Sequence, residues 1–197
     1  MRIIGITGGI GSGKSTVLNL LEENYSAYIV ETDKLAHHLM EPGQTAYEKI
    51  VDAFGTDILA EDGKINRAIL GNIVFQEEAA LNTLNGIVHP AVKEYILHDI
   101  EQKKQEQVSI YVIEAALLIE DGYKAICDEL WYVYVEKEER IRRLLLGRGG
   151  NREKWEQIIN NQSSERYYRS NCDVVVDNSK NLKTTADIVK ELLSKTR

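Results

Sequence analysis

Gly8-Gly9-Ile10-Gly11-Ser12-Gly13-Lys14-Ser15-Thr16 spells G-x-x-x-x-G-K-[ST]. Before it runs Arg2-Ile3-Ile4-Gly5-Ile6-Thr7, apolar and of strand length. After it comes Val17-Leu18-Asn19-Leu20-Leu21-Glu22-Glu23, apolar on one face at helical spacing. A strand, a glycine loop and a helix start are the setting in which backbone N–H groups cradle phosphates, helped by the positive end of the helix. The pattern points to a nucleoside triphosphate held by Gly9, Gly11, Ser12, Gly13, Lys14, Ser15 and Thr16. Lys14 is expected to reach the outer phosphates and the Ser15 hydroxyl to hold Mg²⁺.

Composition limits what such a site serves. The 197 residues suffice for a full core and suit one domain. A formal charge of −7 argues against nucleic acid as a partner, since no basic surplus is available to neutralise phosphates. No apolar run reaches membrane-span length and the first residues read as a strand, so a cytoplasmic protein is expected. Cys127 and Cys172 have no metal-ligand spacing and read as buried thiols.

Five strands are expected, Arg2–Thr7, Ala27–Val30, Val108–Glu114, Glu129–Val135 and Val174–Asp177, alternating with helices. Near-continuous apolar runs such as Val108–Ile113 suit strands covered on both faces. The fold class is therefore α/β, with a parallel five-stranded sheet between helical layers. The sheet core falls at 1–30, 108–140 and 170–197. Residues 31–107 read as a helical insertion, with helices at Thr45–Phe54, Arg67–Val74, Glu77–Gly86 and Pro90–Gln105. Arg140–Gly150 reads as a basic helix hinged by glycines, the start of a lid over about 140–169.

A missing N-K-x-D argues against a GTPase, and the layout suits a small-molecule kinase. Such a reaction needs a group to orient or deprotonate the acceptor, and Asp33 stands where the second strand ends. The same residue would also serve as a cap for a helix starting at Lys34. Glu114, at the end of the third strand, is placed to hold Mg²⁺ through water.

The chain also resembles the dephospho-coenzyme A kinase family from Met1 to about Ser179. The resemblance rests on Ile6–Thr16, on Asp33, on Glu41-Pro42-Gly43, Phe54-Gly55, Asp62-Gly63 and Arg67, and on His89-Pro90, Leu117-Leu118 with Glu120, and Asp177-Asn178. It implies a three-layer α/β/α P-loop kinase fold in which the core binds ATP, the insertion binds the acceptor and the lid closes. The implied reaction moves the γ-phosphoryl of ATP to the ribose 3′-hydroxyl of dephospho-coenzyme A, the last step of coenzyme A biosynthesis. Asp33 would be the base, Arg143 and Arg148 the lid cations, and Asn178 would lie near the nucleotide. A kinase for another nucleoside or small alcohol, or a weakly active ATP-binding relative, are the alternatives. Three departures stand out: Glu31-Thr32 replaces Asp-Ala, Ala115-Ala116 replaces a proline step, and the lid cations fall one place late, at Arg148 and Arg169. Oligomeric state leaves no mark on the sequence.

Overall fold

β1 (Arg2–Thr7) is buried at every position after Arg2, so its apolar run faces helices on both sides of a sheet. The computed structural model describes residues 1–195. The other strands are β2 (Tyr28–Glu31), β3 (Ile110–Glu114), β4 (Glu129–Tyr134) and β5 (Val174–Asp177). Their spatial order is β2-β3-β1-β4-β5 and the sheet is parallel, with Ile4 opposite Val112 on one side and Glu129 on the other. β1 is thus central, and the loop that follows it opens at the strands' carboxyl ends, where ligands of open α/β sheets bind. Expected and observed strands agree to within two residues at each end.

α1 (Lys14–Tyr25) and α9 (Leu182–Ser194) cover one face. Val17, Leu21 and Val189 meet Ile4, Ile6, Trp131 and Val176 there, in one continuous core. On the other face, a Cβ on Gly5 would lie 2.7 Å from Leu130 Cδ2 and 2.8 Å from Leu118 Cδ2, so glycine is what lets the 115–127 segment lie flat on β1. α6 (Lys137–Arg148), α7 (Arg152–Asn160) and α8 (Glu165–Asn171) fill the stretch assigned to a lid. α6 and α7 share a small core of Ile141, Leu144, Trp155 and Ile159, against which Ile10 of the glycine loop packs.

The chain divides into two compact units, Met1–Val30 with Gln107 onward, and Glu31–Glu106. The second unit holds α2 (Thr32–Leu39), α3 (Tyr47–Phe54), α4 (Arg67–Gln76) and α5 (Glu78–Gln105), with α5 packed on α2, α3 and α4. Here two expectations fail. The helices expected at 77–86 and 90–105 are one helix that runs through Pro90. A proline there removes an N–H and crowds the carbonyl four residues back, on Gly86. Gly86 and Pro90 both lie on the exposed side, where water can reach the orphaned carbonyl. The stripe Val88, Val92, Ile96 and Ile100 is buried at i, i+4 spacing straight across the proline. Burial of that stripe outweighs the lost bond.

The second correction concerns Asp33. α2 starts at Thr32 with Glu31 in the capping position, so Asp33 is inside the first turn and is not the cap.

Candidate functional site

The glycine loop turns through left-handed conformations at Gly11 (φ 77°) and Gly13 (φ 79°), which side chains rarely tolerate. These turns bring Lys14 to the first position of α1, where its Nζ donates to the Gly8 carbonyl at 2.9 Å and lies 3.4 Å from Glu114 Oε1. Ser12 Oγ is buried and has no hydrogen-bond partner among the described residues, which leaves an unspent donor inside the cradle. A phosphate oxygen seated in the loop would be an acceptor for it. Ser15 is exposed on the first turn of α1. Ser15, and Glu114 next to Lys14, offer oxygens of the kind that could hold Mg²⁺, which takes only one or two from a protein when phosphates and water supply the rest. No larger acidic or histidine cluster exists among the described residues.

The loop is held from outside by side chains far away in sequence. Arg140 Nε donates to the Ile10 carbonyl at 2.7 Å, and its Nη2 donates to Gln162 Oε1 at 2.6 Å. The same Gln162 oxygen accepts from the Ile10 N–H at 3.0 Å. Both peptide groups of Ile10 are therefore fixed by two residues of the 140–169 segment. The guanidinium lies so close that a Cβ on Gly9 would strike it. Burial pulls the Arg140 guanidinium below its ordinary pKa, with Tyr132 and Tyr168 acting the other way.

On the far side of the loop, Asn178 Nδ2 donates to the Ser12 carbonyl at 2.9 Å, and its Oδ1 accepts from Thr185 Oγ1 at 2.8 Å. Asn178 is buried, and both ends of its amide are committed to protein. Arg143 Nη2 donates to the Asn178 carbonyl at 2.8 Å while its Nε donates to Glu139 at 2.8 Å. Arg140 and Arg143 are three apart on α6, so they share a face that meets the loop. That spacing was visible in the sequence, but only a fold could show which cation touches Ile10.

The remaining expected cations sit elsewhere. Arg148 is the last residue of α6, exposed and without a hydrogen bond or ion pair among the described residues. Tyr168 is buried and stacks on Tyr132 with centroids 4.7 Å apart. Arg169 points the other way, over the Tyr134 ring at 4.9 Å and paired with Glu165 at 2.6 Å. Asp33 belongs to the 31–106 unit, where its carboxylate is exposed and has no hydrogen bond or ion pair among the described residues.

A central parallel strand, a phosphate cradle with a lysine at its helix start, and a basic helix pinned to that cradle together define a P-loop kinase. Residues 2–184 match the family model for dephospho-CoA kinase. The dephospho-CoA kinase of Carboxydothermus hydrogenoformans is 39% identical over 195 residues, covering 99% of this chain and 94% of that one. That of Geobacter sulfurreducens is 40% identical over 179 residues, 91% and 90% of the two chains. The structure of TT1252 from Thermus thermophilus superposes with a TM-score of 0.79 at 28% identity, covering 100% and 98%. The chain belongs to the dephospho-CoA kinase family, and it is an ATP-dependent kinase of coenzyme A biosynthesis.

Proposed function

We propose that Asp33 is the base for transfer of the γ-phosphoryl of ATP to the ribose 3′-hydroxyl of dephospho-coenzyme A. The carboxylate takes the hydroxyl proton as the 3′-oxygen bonds to the γ-phosphorus. The bond from that phosphorus to the bridging oxygen breaks, so coenzyme A and ADP leave. One observation carries this choice between two neighbouring acids. Glu31 is tied to Lys34 at 2.6 Å, whereas Asp33, exposed at the strand end, has no partner among the described residues.

Lys14 exchanges its contacts to the Gly8 carbonyl and Glu114 for the outer phosphates of ATP. Ser15, and Glu114 through water, would hold Mg²⁺, which when bound neutralises charge on the β- and γ-phosphates. Asn178 serves ATP by holding the Ser12 peptide in place. Arg143 is near the loop and Arg148 is exposed at the end of α6 without an ion pair among the described residues, and the two are assigned to charge developing during transfer. The unit 31–106 receives the acceptor and the 140–169 segment closes over ATP, as parts of one kinase domain. The reaction takes place in the cytoplasm on small molecules, with no nucleic acid involved. No helix among the described residues is long and apolar enough to cross a membrane.

A coupled ADP-release assay with ATP, Mg²⁺ and dephospho-coenzyme A tests the reaction, with adenosine and other nucleosides as competing acceptors. Turnover dependent on dephospho-coenzyme A, on the order of 1 s⁻¹ or faster, is expected. ADP release indifferent to that acceptor would overturn the assignment.

A further inference from the structure

Within the unit 31–106, His37, Met40, Glu41, Lys64, Ile65 and Arg67 line an open cavity of about 250 Å³. This unit carries fourteen acidic residues and seven lysines and arginines, yet two of the seven flank this one space. Elsewhere in the unit, Lys34, Lys103 and Lys104 make short pairs with acids, at 2.6, 2.7 and 2.5 Å. Lys64 and Arg67 instead stand off from Glu41, at 3.5 Å to one carboxylate oxygen and 3.7 Å to the other. One anion thus sits between two cations without being hydrogen-bonded to either. The bridging carboxylate displays the geometry an oxyanion would adopt in this space.

The cations are mounted on ordered backbone. The Lys64 N–H donates to Asp62 Oδ1 at 3.1 Å, its carbonyl accepts from Ala60 at 2.8 Å, and Leu59 and Ile65 bridge as an antiparallel pair. The Tyr47 hydroxyl bonds the Gly63 carbonyl inside the same turn. Asn66 caps α4 through the N–H groups of Ala68 and Ile69, which fixes Arg67 on the first helical turn. Positioning of this kind lowers the ordering cost of binding.

The cavity has a set distance from the acid assigned as base. Asp33, His37 and Met40 recur at i, i+4 and i+7 on α2, so they share one face of the helix. His37 lies one turn past Asp33, about 6 Å along the axis at 1.5 Å per residue. In the acceptor, the 3′-hydroxyl and the 5′-diphosphate are on the same ribose, only a few covalent bonds apart. A hydroxyl held at Asp33 therefore places the diphosphate at the start of the cavity.

We propose that Lys64 and Arg67, with His37, form the subsite for the diphosphate of the acceptor, and that Glu41 holds the two cations apart until it arrives. The inference rests on the reading of Asp33 as base and dephospho-coenzyme A as acceptor. On binding, two phosphate groups replace one carboxylate between the same cations, and Met40 and Ile65 line the apolar sides.

Calorimetric titration of the full chain with dephospho-coenzyme A, and separately with ATP, tests it. For a Lys64→Gln/Arg67→Gln variant, Kd for dephospho-coenzyme A should rise about tenfold or more, and the salt dependence of that binding should flatten. Kd for ATP should stay within about twofold of wild type. Glu41→Gln, which removes the competing anion, should tighten dephospho-coenzyme A a few-fold. Unchanged acceptor affinity in the double variant, or a parallel loss of ATP affinity, overturns the subsite. If the double variant melts early, Lys64→Gln alone decides, because it alters one exposed side chain. A wild-type chain that binds ATP but neither binds nor phosphorylates dephospho-coenzyme A defeats the underlying reading, an outcome distinct from failure of the subsite.

Discussion

Arg140 and Ile10 are 130 residues apart, yet the arginine Nε donates to the isoleucine carbonyl at 2.7 Å and so holds the crest of the phosphate loop. Gln162 completes the arrangement from the other end of the lid segment, bonding both the Ile10 N–H and Arg140. The glycine loop and the 140–169 helices are joined through one residue, Ile10, by both of its peptide groups.

Removing either partner should weaken ATP binding. Hydrogen bonds to a charged group contribute about 1.5–3 kcal/mol, so Arg140→Ala is expected to raise KM for ATP about ten- to hundredfold. Arg140→Lys should recover little, because an ammonium cannot reach Ile10 and Gln162 at once as the planar fork does. Gln162→Ala should give a similar defect, and the double variant should fall well short of the product of the two. Steady-state kinetics on all four proteins checks this, and full additivity would sink the coupling.

Asp33→Asn keeps the shape of the first turn of α2 and removes the carboxylate proposed as the base. The turnover number should fall about 10²- to 10⁴-fold while ATP affinity holds. Measuring ATP affinity by calorimetry alongside kcat separates the loss of chemistry from the loss of fold. A variant retaining most of its turnover would assign the proton to another group.

Gly13→Ala introduces a Cβ where φ is 79° and where Asn178 Nδ2 leaves no room. The left-handed backbone alone costs about 1–2 kcal/mol. A Tm lower by roughly 2–8 °C is expected for a chain of this size. Asn178→Ala removes the clashing amide but also the bond to Ser12, so the two substitutions should be non-additive. Differential scanning calorimetry of the single and double variants measures this.

The Glu139 carboxyl is held down to about 2, first by hydrogen bonds from Arg142 and then by Arg143, against the opposing effect of burial. Its folded pKa lies below the ordinary 4.5, so the stabilisation is present above about pH 4.5 and is lost as pH falls toward 2. Arg142 is largely exposed, so solvent screening limits the pair to about 0.5–1 kcal/mol. Urea melts of Glu139→Gln should show that deficit at pH 6 and only a small remainder of it at pH 2. A deficit that persists undiminished into acid would mean that packing, not charge, is what was lost.

Arg148 and Arg143 differ in what holds them, and their truncations should differ accordingly. Arg148→Ala removes an exposed cation that makes no hydrogen bond or ion pair among the described residues, so Tm should stay within about 1–2 °C, in line with surface substitutions. If Arg148 serves the transferring phosphoryl, kcat falls at least tenfold all the same. Arg143→Ala should lower both stability and kcat, since it also releases Asn178 and Glu139.

Much of the fold was legible because its signals are local. Arg2–Thr7 and Val174–Asp177 occur as strands at the expected residues, since continuous apolar runs between glycine or polar breaks declare strands, buried past Arg2 in the first and half-buried at the sheet edge in the second. Pro90 misled for the same local reason. The sequence displays the missing N–H, but it does not display the partners of Val88, Val92 and Ile96, whose burial keeps α5 continuous. At the phosphate loop, Lys14 and Ser15, both on the first turn of α1, announced themselves through the motif. Arg140 did not, because one basic residue among Arg140, Arg142, Arg143 and Arg148 looks like another until a helix face is assigned.

The amino-acid sequence by itself determined the strand–loop–helix that cradles phosphate, the alternation that yields a parallel sheet, and the family to which the chain belongs. Those properties depend on residue identity and spacing over a few turns, where backbone stereochemistry and hydrophobic period leave few options. Tertiary structure alone decided that Arg140, Gln162 and Asn178 hold the loop, across separations of 130, 152 and 166 residues. It also decided that Tyr168 turns inward onto Tyr132 while Arg169 faces Tyr134. Contacts between residues so far apart are set by how whole elements pack. Burial and close fit choose among side chains that are chemically alike along the chain.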